Sequence, residues 1–454
     1  MPQTFLRCFF CLYGGRVPLE DRHLTFNASV LIFLAEKPER RNGMDGIENG
    51  ELELLRKKLA SKRTRVLLRY GYYEMKNRIK ELKGLIPDDL KWLSYSLGWC
   101  AKAVDTLADR IVFDRFTNDS FSIDQIYRLN NADILFSSAV LSALISSCSF
   151  IYIGAGDDGY PFLQVVDGSN ATGRIDSSTN MLTEGYAVLE RDDYGRPVME
   201  ALFLPNMTMY YENGRLRDDL TLYHKAPYAL LVPIIYRPDA RRPFGHSRIS
   251  RSCMDITQAV VRTIKRSEVS AEFYSIPQKY ILGLSNNIEF NGHEASLKEF
   301  VSFGKDENGD KPSVGQFQQQ SMAPFTEQFK MFASIFAGET DLTLDDLGVP
   351  TANPSSYEAI KASHEALKLT ARKAQRTFGT GFINAGCLAA CLRDGIAYDR
   401  RAFVDTKPTW LPIFEPDAST LGALGDAIYK IDQALPGFVG AETLRQLTGL
   451  EGES

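Results

Sequence analysis

The sequence has no surplus of positive charge. It holds 52 lysines and arginines against 57 aspartates and glutamates, which gives a formal net charge of −5 at neutral pH. A protein that grips nucleic acid through many phosphate contacts normally has a basic surface and a high isoelectric point. This balance excludes a conventional basic nucleic-acid binder, and we expect any DNA partner to be passed along and not held tightly.

The motifs of common catalytic sites are also missing. The chain contains no phosphate loop of the form GxxxxGK followed by Ser or Thr, no GxSxG nucleophile elbow and no HExxH zinc motif. Its five histidines lie far apart, and none has the spacing of a metal-ligand pair. The adjacent Asp345 and Asp346 fall at a turn and give no catalytic dyad. We therefore expect no catalytic residue, no cofactor and no metal, and the chain is not predicted to be an enzyme.

The cysteines are few. Seven in a chain of 454 residues is an odd number, which favours a reducing compartment over a disulfide framework. Cys8 and Cys11 form a CxxC pair, but no second pair follows at zinc-site spacing, so a zinc site there is the minor alternative. Cys387 and Cys391 lie one helical turn apart and could share a metal, although small buried side chains are the favoured interpretation. The start has no Lys/Arg cluster leading into an apolar core, so no signal peptide is predicted.

One uncharged run stands out, residues 134–156, which is nearly long enough to span a bilayer. Its character changes at Ser149, where SFIYIG has the composition of a strand, so a buried helix that runs into a strand is favoured over a membrane span. Gly154, Gly156 and Gly159 in this region match GxGxxG. A strand and not a helix follows them, which predicts a hairpin turn and no dinucleotide site.

The elements that are present predict an α+β fold. Helical periodicity runs from Gly50 to Lys83, from Asp88 to Arg110 and from Ser122 to Ser147. Between Ser149 and Ile235 the period changes to two, which indicates an antiparallel meander of six or seven strands. A helical pair, Ser419 to Leu435 and Ala441 to Leu447, is predicted near the end.

Two long helices follow the meander. The first is capped by Ser247 or Ser250 and runs to about Tyr274. The second begins at Pro324 and is predicted to end at Gly338. The heptad-like stripe of the first helix is Ile249, Cys253, Ile256, Val260 and Ile264. The aromatic face of the second is Phe325, Phe329, Phe332 and Phe336.

A third long helix is predicted from Ser356 to about Gly379. Its apolar stripe is Ile360, Leu367, Ala371, Ala374 and Phe378. Its second stripe is Lys361, Glu365, Lys368, Arg372 and Arg376. The second stripe is either a functional cationic surface or a solvated face with one ion pair, and the residues leave both interpretations open. His364, on the apolar side, is expected to be a buried histidine with its hydrogen bonds made.

Several local sequences resemble those of the portal, or head-to-tail connector, proteins of tailed bacteriophages. RYGYYEMKN and GWCAKAVDTLADRIVF are similar to the opening helices of that family, and PFGHSRIS resembles its entry into the stem. LTLDDLGVPTANPSSYEAIKASHEALKLTARKAQRTFG resembles the stem end, the tunnel loop and the helix after it. PTWLPIFEPDASTLGALGDAIYKI is similar to the C-terminal part. The resemblance covers roughly Val66 to Gly449.

This resemblance implies a portal-type ring subunit with a helical and β wing, a two-helix stem, a β clip, a channel-facing helix and a short α-helical crown. The corresponding divisions are an N-terminal extension (1–43), the wing (44–236), the first stem helix (237–276), the clip (277–320), the second stem helix (321–347), the tunnel loop and channel helix (348–385) and the C-terminal wing and crown (386–454). The N-terminal extension matches nothing in the family, and it is either a real arm or a consequence of a true start at Met44.

The resemblance also implies a role. It is a ring of twelve subunits at one capsid vertex of a phage or prophage particle, through which double-stranded DNA is packaged and ejected. The implied partners are copies of the same chain, DNA in transit, the terminase large subunit, the head–tail adaptor, and the major capsid and scaffolding proteins, with no membrane. The protein would be part of the virion, after assembly in the host bacterial cytoplasm.

Particular residues acquire roles from the same resemblance. The implied channel-facing DNA contacts are Lys361, Lys368, Arg372 and Arg376. The implied stem-assembly residues are Ile249, Ile256, Val260, Ile264, Phe329 and Phe332. Two alternatives from other classes remain: a phage-encoded hydrolase with an unrecognised site, and a membrane-associated protein anchored through residues 134–156.

Overall fold

Helical segments alternate with antiparallel sheets along the chain. The computed structural model describes residues 44–77, 90, 92–156, 160–275, 279–282, 313–316, 321–350, 362–414 and 418–448. They belong to one of the chain's two structural units, Arg40–Ser454. The mixed helical and β fold predicted from the periodicities is confirmed. The CxxC pair, most of the clip and the loop at 351–361 lie outside the described residues.

The helices are α1 (Met44–Tyr73), α2 (Trp99–Ala108), α3 (Ile123–Leu129), α4 (Ala132–Ser146), α5 (Arg251–Ser275), α6 (Ala323–Thr340), α7 (Glu365–Asp394), α8 (Ala418–Ala434) and α9 (Ala441–Thr448). The strands are β1 (Phe113–Thr117), β2 (Cys148–Ala155), β3 (Pro161–Val166), β4 (Ala171–Ile175), β5 (Leu182–Arg191), β6 (Pro197–Leu204), β7 (Met207–Glu212), β8 (Arg215–Tyr223), β9 (Leu231–Ile235), β10 (Lys279–Leu282), β11 (Ser313–Gln316) and β12 (Lys407–Trp410).

The strands between Ser149 and Ile235 do not form one meander. Strands β4 to β8 make a five-stranded sheet in sequence order, whereas β2 lies between β3 and β9 in a second sheet. The predicted six or seven strands in a single sheet are therefore wrong in count and in pairing. Alternation of residue types shows which face of a strand is buried, but it carries no information about the partner strand. The pairing of β2 with β9, which joins the two ends of this region, is a tertiary contact.

Helix α1 is held on the five-stranded sheet by an apolar face and one buried ion pair. Leu52, Leu55 and Leu59, spaced three and four residues apart, are buried against side chains of β5, β6 and β7. Arg56 binds Glu200 of β6 through two nitrogens, at 2.6 and 3.1 Å, and Glu200 also accepts a hydrogen bond from the Tyr186 hydroxyl. The forked geometry fixes the rotation of α1 over the sheet.

The helix predicted from Ser122 to Ser147 is in fact two helices, α3 and α4, bent by 90°. Asn130 causes the break because its side-chain amide donates to the carbonyl oxygens of Ile126 and Pro161, both at 2.9 Å. Its Oδ1 accepts from the Leu163 amide of β3. The next residue, Asn131, adopts a left-handed conformation with φ of 54°, which asparagine tolerates better than most residues. The polar side chain thus joins the end of α3 to the edge of a sheet.

The uncharged run 134–156 continues from α4 into β2, as predicted. In the part of the chain that the structure describes, no single helix is both long and apolar enough to cross a membrane, although the bent pair α3 and α4 passes that test together. Strands β2 and β3 pair antiparallel, with Gly154 opposite Phe162 and Ala155 opposite Pro161. The hairpin predicted in place of a dinucleotide loop is confirmed.

Helices α5 and α6 pack side by side and carry a two-stranded ribbon, β10 with β11, in the chain between them. Ser250 caps α5, because its hydroxyl accepts from the Cys253 amide at 3.1 Å. The prediction that Gly338 ends α6 is wrong. The helix continues to Thr340 and ends at Asp341, which has φ of 54° and takes the left-handed position that glycine often occupies.

Candidate channel-facing helix and cationic cleft

Helix α7 has two halves with different surroundings. In the first half, Leu367, Ala371 and Ala374 form the buried stripe that the sequence predicted, and the opposite face is exposed. From Gly381 to Cys391 every residue is buried. The predicted end at Gly379 is therefore wrong, and the boundary drawn between 385 and 386 falls inside this helix. The second half is anchored in the core, and the first half projects from that anchor.

Three glycines allow this burial. A Cβ atom at Gly379 would lie 2.6 Å from a ring carbon of Pro408 in β12, and one at Gly381 would lie 2.7 Å from the side chain of Ile234. A Cβ atom at Gly386 would lie 2.9 Å from the side chain of Ile123 in α3. These distances are shorter than a carbon–carbon contact. The glycines therefore serve close packing between elements and do not terminate the helix.

The residues of the predicted cationic stripe have different environments. Lys368 is partly buried and forms an ion pair with Glu365 at 3.2 Å. Arg372 and Arg376 are exposed, and neither forms an ion pair with a described residue. Lys361 lies outside the described residues. The ion pair with Glu365 that the solvated-face interpretation predicted is present. Arg372 and Arg376, one helical turn apart, have no such pair among the described residues.

Those two arginines line an open cleft between α7 and β12. The cleft has a volume of about 400 Å³. Its lining residues are Arg372, Gln375, Arg376, Thr380, Ile383, Lys407, Pro408 and Trp410. No acidic residue is among them, so three cationic side chains share the cleft without a carboxylate. The indole of Trp410 forms an apolar wall and packs edge-on against Phe113 of the core, at 5.5 Å between ring centroids.

One wall of the cleft contains an unpaired polar group. The Nε2 atom of Gln375 is inaccessible to solvent and has no hydrogen-bond partner among the described residues. A buried donor without an acceptor costs about 1 to 3 kcal/mol, so native proteins rarely leave one unless a ligand or water satisfies it.

Sequence reasoning did not identify Lys407, Gln375 or Trp410 as site residues. Lys407 and Trp410 come from a short strand, KPTW, whose pairing with β1 was not predicted. The register places Trp410 opposite Phe113 and Lys407 opposite Thr117. A four-residue strand has no detectable period, so no signal in the sequence could bring Lys407 to the arginines of α7.

A buried arginine connects α2 and α6 to α7. Arg248 is 5% exposed and donates to the carbonyl oxygens of Ala103 in α2 and Thr340 in α6. Its guanidinium also contacts Asp341 at 3.4 Å, and Asp341 accepts a hydrogen bond from Thr370 of α7 at 2.9 Å. One hydrogen-bonded chain therefore links α2, the end of α6 and the exposed half of α7.

The residues predicted to assemble the stem are partly buried within the chain itself. Ile249 and Val260 are fully buried, whereas Ile256, Ile264, Phe329 and Phe332 are half-buried against the core. Trp99 of α2 packs against Phe329 and Phe336 of α6, with ring centroids 5.4 Å apart in both pairs. The large apolar side chains of α6 that stay exposed are those of Met331 and Ile335, each 49% accessible. These two were not predicted.

Other candidate groups are not arranged for chemistry. Cys387 and Cys391 are both buried, and a hydrogen bond with Cys391 together with burial raises the pKa of the Cys387 thiol, so it stays protonated. His364 lies half-buried just before α7, and its Nδ1 atom has no hydrogen-bond partner among the described residues, where the sequence predicted a satisfied histidine. Among the described residues, no group of histidine, cysteine and acidic side chains could hold a metal ion.

The chain was compared with known proteins. No family model matches it. The portal protein of Mycobacterium phage L5 is 24% identical over 390 residues, which are 80% of this chain and 77% of that protein. The portal protein of Mycobacterium phage D29 is 24% identical over 408 residues, 84% of this chain and 81% of that protein.

Solved structures with some likeness come from gene transfer agent particles. A chain from the virion of a native particle has 14% identity and a TM-score of 0.44, covering 86% of this chain and all of that one. A chain from the neck of an empty particle has 14% identity and a TM-score of 0.46, covering 84% and 98%.

The mixed helical and β chain described above is thus matched, over about four-fifths of its length, by proteins of mycobacteriophages. Both relatives are portal proteins, and the resemblance to phage portal proteins that the sequence motifs indicated is confirmed.

Proposed function

We propose that this chain is the portal subunit of a tailed phage or prophage, twelve copies of which form a ring at one capsid vertex. Double-stranded DNA would pass through the ring during packaging and ejection. The observation that carries the proposal is the match to two portal proteins along about four-fifths of the chain. A similarity that spans several elements in order supports a shared role better than a single motif would.

Within this proposal the parts of the chain take the roles that the resemblance implies. Residues 44–236 would be the wing, 237–276 and 321–347 the stem, 277–320 the clip, 348–385 the tunnel loop and channel helix, and 386–454 the C-terminal wing and crown. The partners would be the terminase large subunit during packaging, the head–tail adaptor afterwards, and the major capsid and scaffolding proteins at the vertex. The ring would assemble in the host cytoplasm and remain in the virion.

The mechanism we propose for the channel rests on the first half of α7. Because the second half of that helix is buried, the exposed half is a rigid support for Lys368, Arg372 and Arg376. If this face lines the pore, twelve copies place rings of positive charge about one helical turn apart along the DNA. Each charge attracts the DNA backbone weakly, and a mildly acidic protein avoids the drag that many phosphate contacts would cause.

The test is a charge reversal in the channel. Lys368→Glu combined with Arg372→Glu should leave rings visible by negative-stain electron microscopy, because the lost Lys368–Glu365 pair is a surface pair worth less than about 1 kcal/mol. DNA packaging, measured as DNase-resistant genome copies per particle, should fall, and added salt should ease the defect. The control is Lys373→Glu, an exposed cation of the same helix outside the stripe and the cleft.

Two outcomes would count against the proposal. If the purified wild-type protein is monomeric in negative-stain images, the proposed ring assembly is wrong. Normal packaging by the double variant would remove the channel assignment of α7, and the portal role would then rest on the similarity to portal proteins alone.

A further inference from the structure

A second cationic stripe lies on α1, and the proposed function does not use it. Its members follow one another at intervals of four, three and four residues, which places them on one side of the helix: Lys58, Lys62, Arg65 and Arg69. At 1.5 Å per residue the stripe is about 16 Å long. It shares no residue with the exposed face of α7, so the channel assignment does not account for it.

The loop that follows β9 contacts this stripe and adds positive charge to it. The ring of Phe244 lies beneath the Nζ atoms of the first two stripe residues, at 5.3 and 5.6 Å from its centroid. Burial lowers the pKa of Arg69, and the nearby charges of Arg65 and Arg242 lower it further. Arg241 and Arg242 are both exposed. We call the combined surface the α1 basic surface, and its six cations are Lys58, Lys62, Arg65, Arg69, Arg241 and Arg242.

The α1 basic surface keeps a net positive charge. In the part of the chain that the structure describes, none of its six cations forms an ion pair. Lys58 and Arg69 each donate to a backbone carbonyl oxygen, at 2.7 and 3.4 Å, which positions them without adding negative charge. The nearby carboxylates are bound by other groups: Asp167 by the Ser169 amide, Glu184 by Arg174 and Asp239 by His246. Positive charge gathered in this way, in a chain whose net charge is −5, favours an anionic partner from outside the chain.

Exposed leucines border the stripe on its solvent side. Leu54 comes four residues before Lys58, and Leu68 comes three residues after Arg65, so both lie beside the cations on the helix surface. Leu54 is 54% exposed and Leu68 is 51% exposed. Protein interfaces combine arginine with large apolar side chains, whereas a nucleic-acid backbone offers phosphate charge and nothing that would cover a leucine. The combination favours a protein partner over DNA.

We propose that the α1 basic surface docks an acidic segment of a different protein, which brings carboxylates to the stripe and an apolar side chain to Leu68. An extended segment that follows the stripe needs about five residues, since a strand rises about 3.3 Å per residue. The proposal goes beyond the portal role and does not depend on the channel or on the ring.

A second copy of this chain fits the surface less well. The acidic run at 339–346 contains four carboxylates and two leucines, which is the required chemistry. Its carboxylates are in use, however, because Asp341 accepts a hydrogen bond from Thr370 and Asp346 accepts one from Thr343. The run is therefore held within the chain that carries it, and a separate protein is the occupant that remains.

The experiment measures binding of labelled probes to the purified full-length chain by fluorescence anisotropy at physiological salt. The probes are a short synthetic peptide of glutamates and leucines, the same peptide with serine in place of each leucine, and a short DNA duplex. We expect the glutamate–leucine peptide to bind more tightly than the serine peptide, because only the former covers the exposed leucines.

Two variants separate the charged and the apolar contributions. Arg65→Ala combined with Arg242→Ala should weaken binding of both peptides about fivefold, which is what two exposed charge contacts supply, and should lower the dependence of affinity on salt. Leu68→Ser should weaken only the glutamate–leucine peptide and leave its salt dependence unchanged. The matched control, Lys330→Ala with Lys373→Ala, removes two exposed cations from α6 and α7 and should alter peptide affinity by less than about twofold.

Four results would overturn the proposal. They are no peptide binding by the wild type, equal weakening in the arginine variant and the lysine control, an unchanged difference between the two peptides in Leu68→Ser, and a larger effect of the arginine variant on the duplex than on the peptides. Negative-stain images of the same preparations test the other occupant, because loss of rings in the arginine variant would assign the surface to a contact between copies. Wild-type protein that binds the peptide without forming rings would reject the proposed ring and retain the docking surface.

Discussion

The charged guanidinium group of Arg248 is buried, and its hydrogen bonds and ion pair offset the cost of removing the charge from water. Two of its nitrogens satisfy carbonyl oxygens in α2 and at the end of α6, and Asp341 supplies the counter-charge. When one member of a buried ion pair is removed, the remaining groups lose their partner. This typically lowers the free energy of unfolding by about 3 to 5 kcal/mol. The loss would also remove the link between α2 and the end of α6, because Arg248 donates to carbonyl oxygens in both helices.

We therefore expect Arg248→Leu to lower the free energy of unfolding by about 3 kcal/mol, measured by urea denaturation followed by circular dichroism. Arg251→Ala, three residues later and exposed, is the control and should change stability by less than about 0.5 kcal/mol. Equal effects of the two changes would mean that the network around Arg248 contributes nothing specific.

Burial of His224 makes the stability of the fold depend on pH. Burial lowers the pKa of its imidazole to about 4, against about 6.5 in an unfolded chain. Between these two values the unfolded state binds more protons than the folded state, so stability falls as the pH is lowered through this window. The contribution is complete above about pH 6.5, and its loss reaches at most about 3 kcal/mol by pH 4.

Replacing this residue tests the assignment. His224 accepts a hydrogen bond from the Ala226 amide through Nδ1, and His224→Asn keeps an acceptor near that position without a titrating group. The melting temperature of the variant should fall less than that of the wild type between pH 7 and pH 4.5, by a few degrees, about what 1 to 2 kcal/mol produces in a large domain. An identical acid dependence in both proteins would exclude His224 as its source.

At the scale of elements, two glycines inside helices illustrate opposite roles. Gly379 of α7 lies against Pro408, so an added methyl group has no space. At Gly338 of α6, no atom of the described residues outside the helix backbone lies within 4 Å of an added Cβ. Alanine is favoured over glycine in a helix interior by about 1 kcal/mol, so the two substitutions should change stability in opposite directions.

Gly338→Ala is expected to raise the free energy of unfolding by about 0.5 to 1 kcal/mol. Gly379→Ala is expected to lower it by about 1 to 3 kcal/mol, because overpacking exceeds the gain in propensity. Thermal unfolding of both variants beside the wild type is the measurement. If Gly379→Ala stabilises the protein, the contact between Gly379 and Pro408 of β12 is looser than the structure shows.

The element boundaries that sequence reasoning misplaced share a cause. Glycine commonly follows a helix, so the sequence predicts ends at Gly338 and Gly379, yet α6 ends at Asp341 and α7 passes through Gly379 into the core. The sequence does not predict the break between α3 and α4, because Asn130 makes it by donating a hydrogen bond to the Pro161 carbonyl oxygen of β3. Local rules describe what a residue permits, and a distant partner decides which option is used.

At the scale of the whole molecule, α6 has an apolar surface that the described part of the chain does not cover. Met331 and Ile335 are both 49% exposed on α6, whereas Val260 of α5 is fully buried within the protomer. Under the proposed ring architecture, the exposed pair would lie against a neighbouring copy. Cyclic assembly satisfies such surfaces without leaving an open edge.

Met331→Glu combined with Ile335→Glu should therefore abolish rings on size exclusion with light scattering. The unfolding free energy of the protomer should change by less than about 0.5 kcal/mol, since both positions are exposed there. Val260→Asp serves as the contrast, because a charge buried within the chain should lower the free energy of unfolding by several kcal/mol. That variant should therefore lose the packing of α5 as well as the rings. Ile256, half-buried, would mix both effects. Intact rings in the double glutamate variant would exclude this face of α6 from the assembly interface.

What the sequence by itself determined is the kind of elements and their order. The capped start of α5, the apolar stripe of α7, the hairpin at Gly154 and the likeness to phage portal proteins depend on neighbouring residues, and all of these are confirmed. The tertiary structure alone decided the pairing of β2 with β9, the burial of the second half of α7 and the meeting of Lys407 with Arg372 and Arg376. These features depend on contacts between residues far apart in the chain, and periodicity within a short segment carries no information about them.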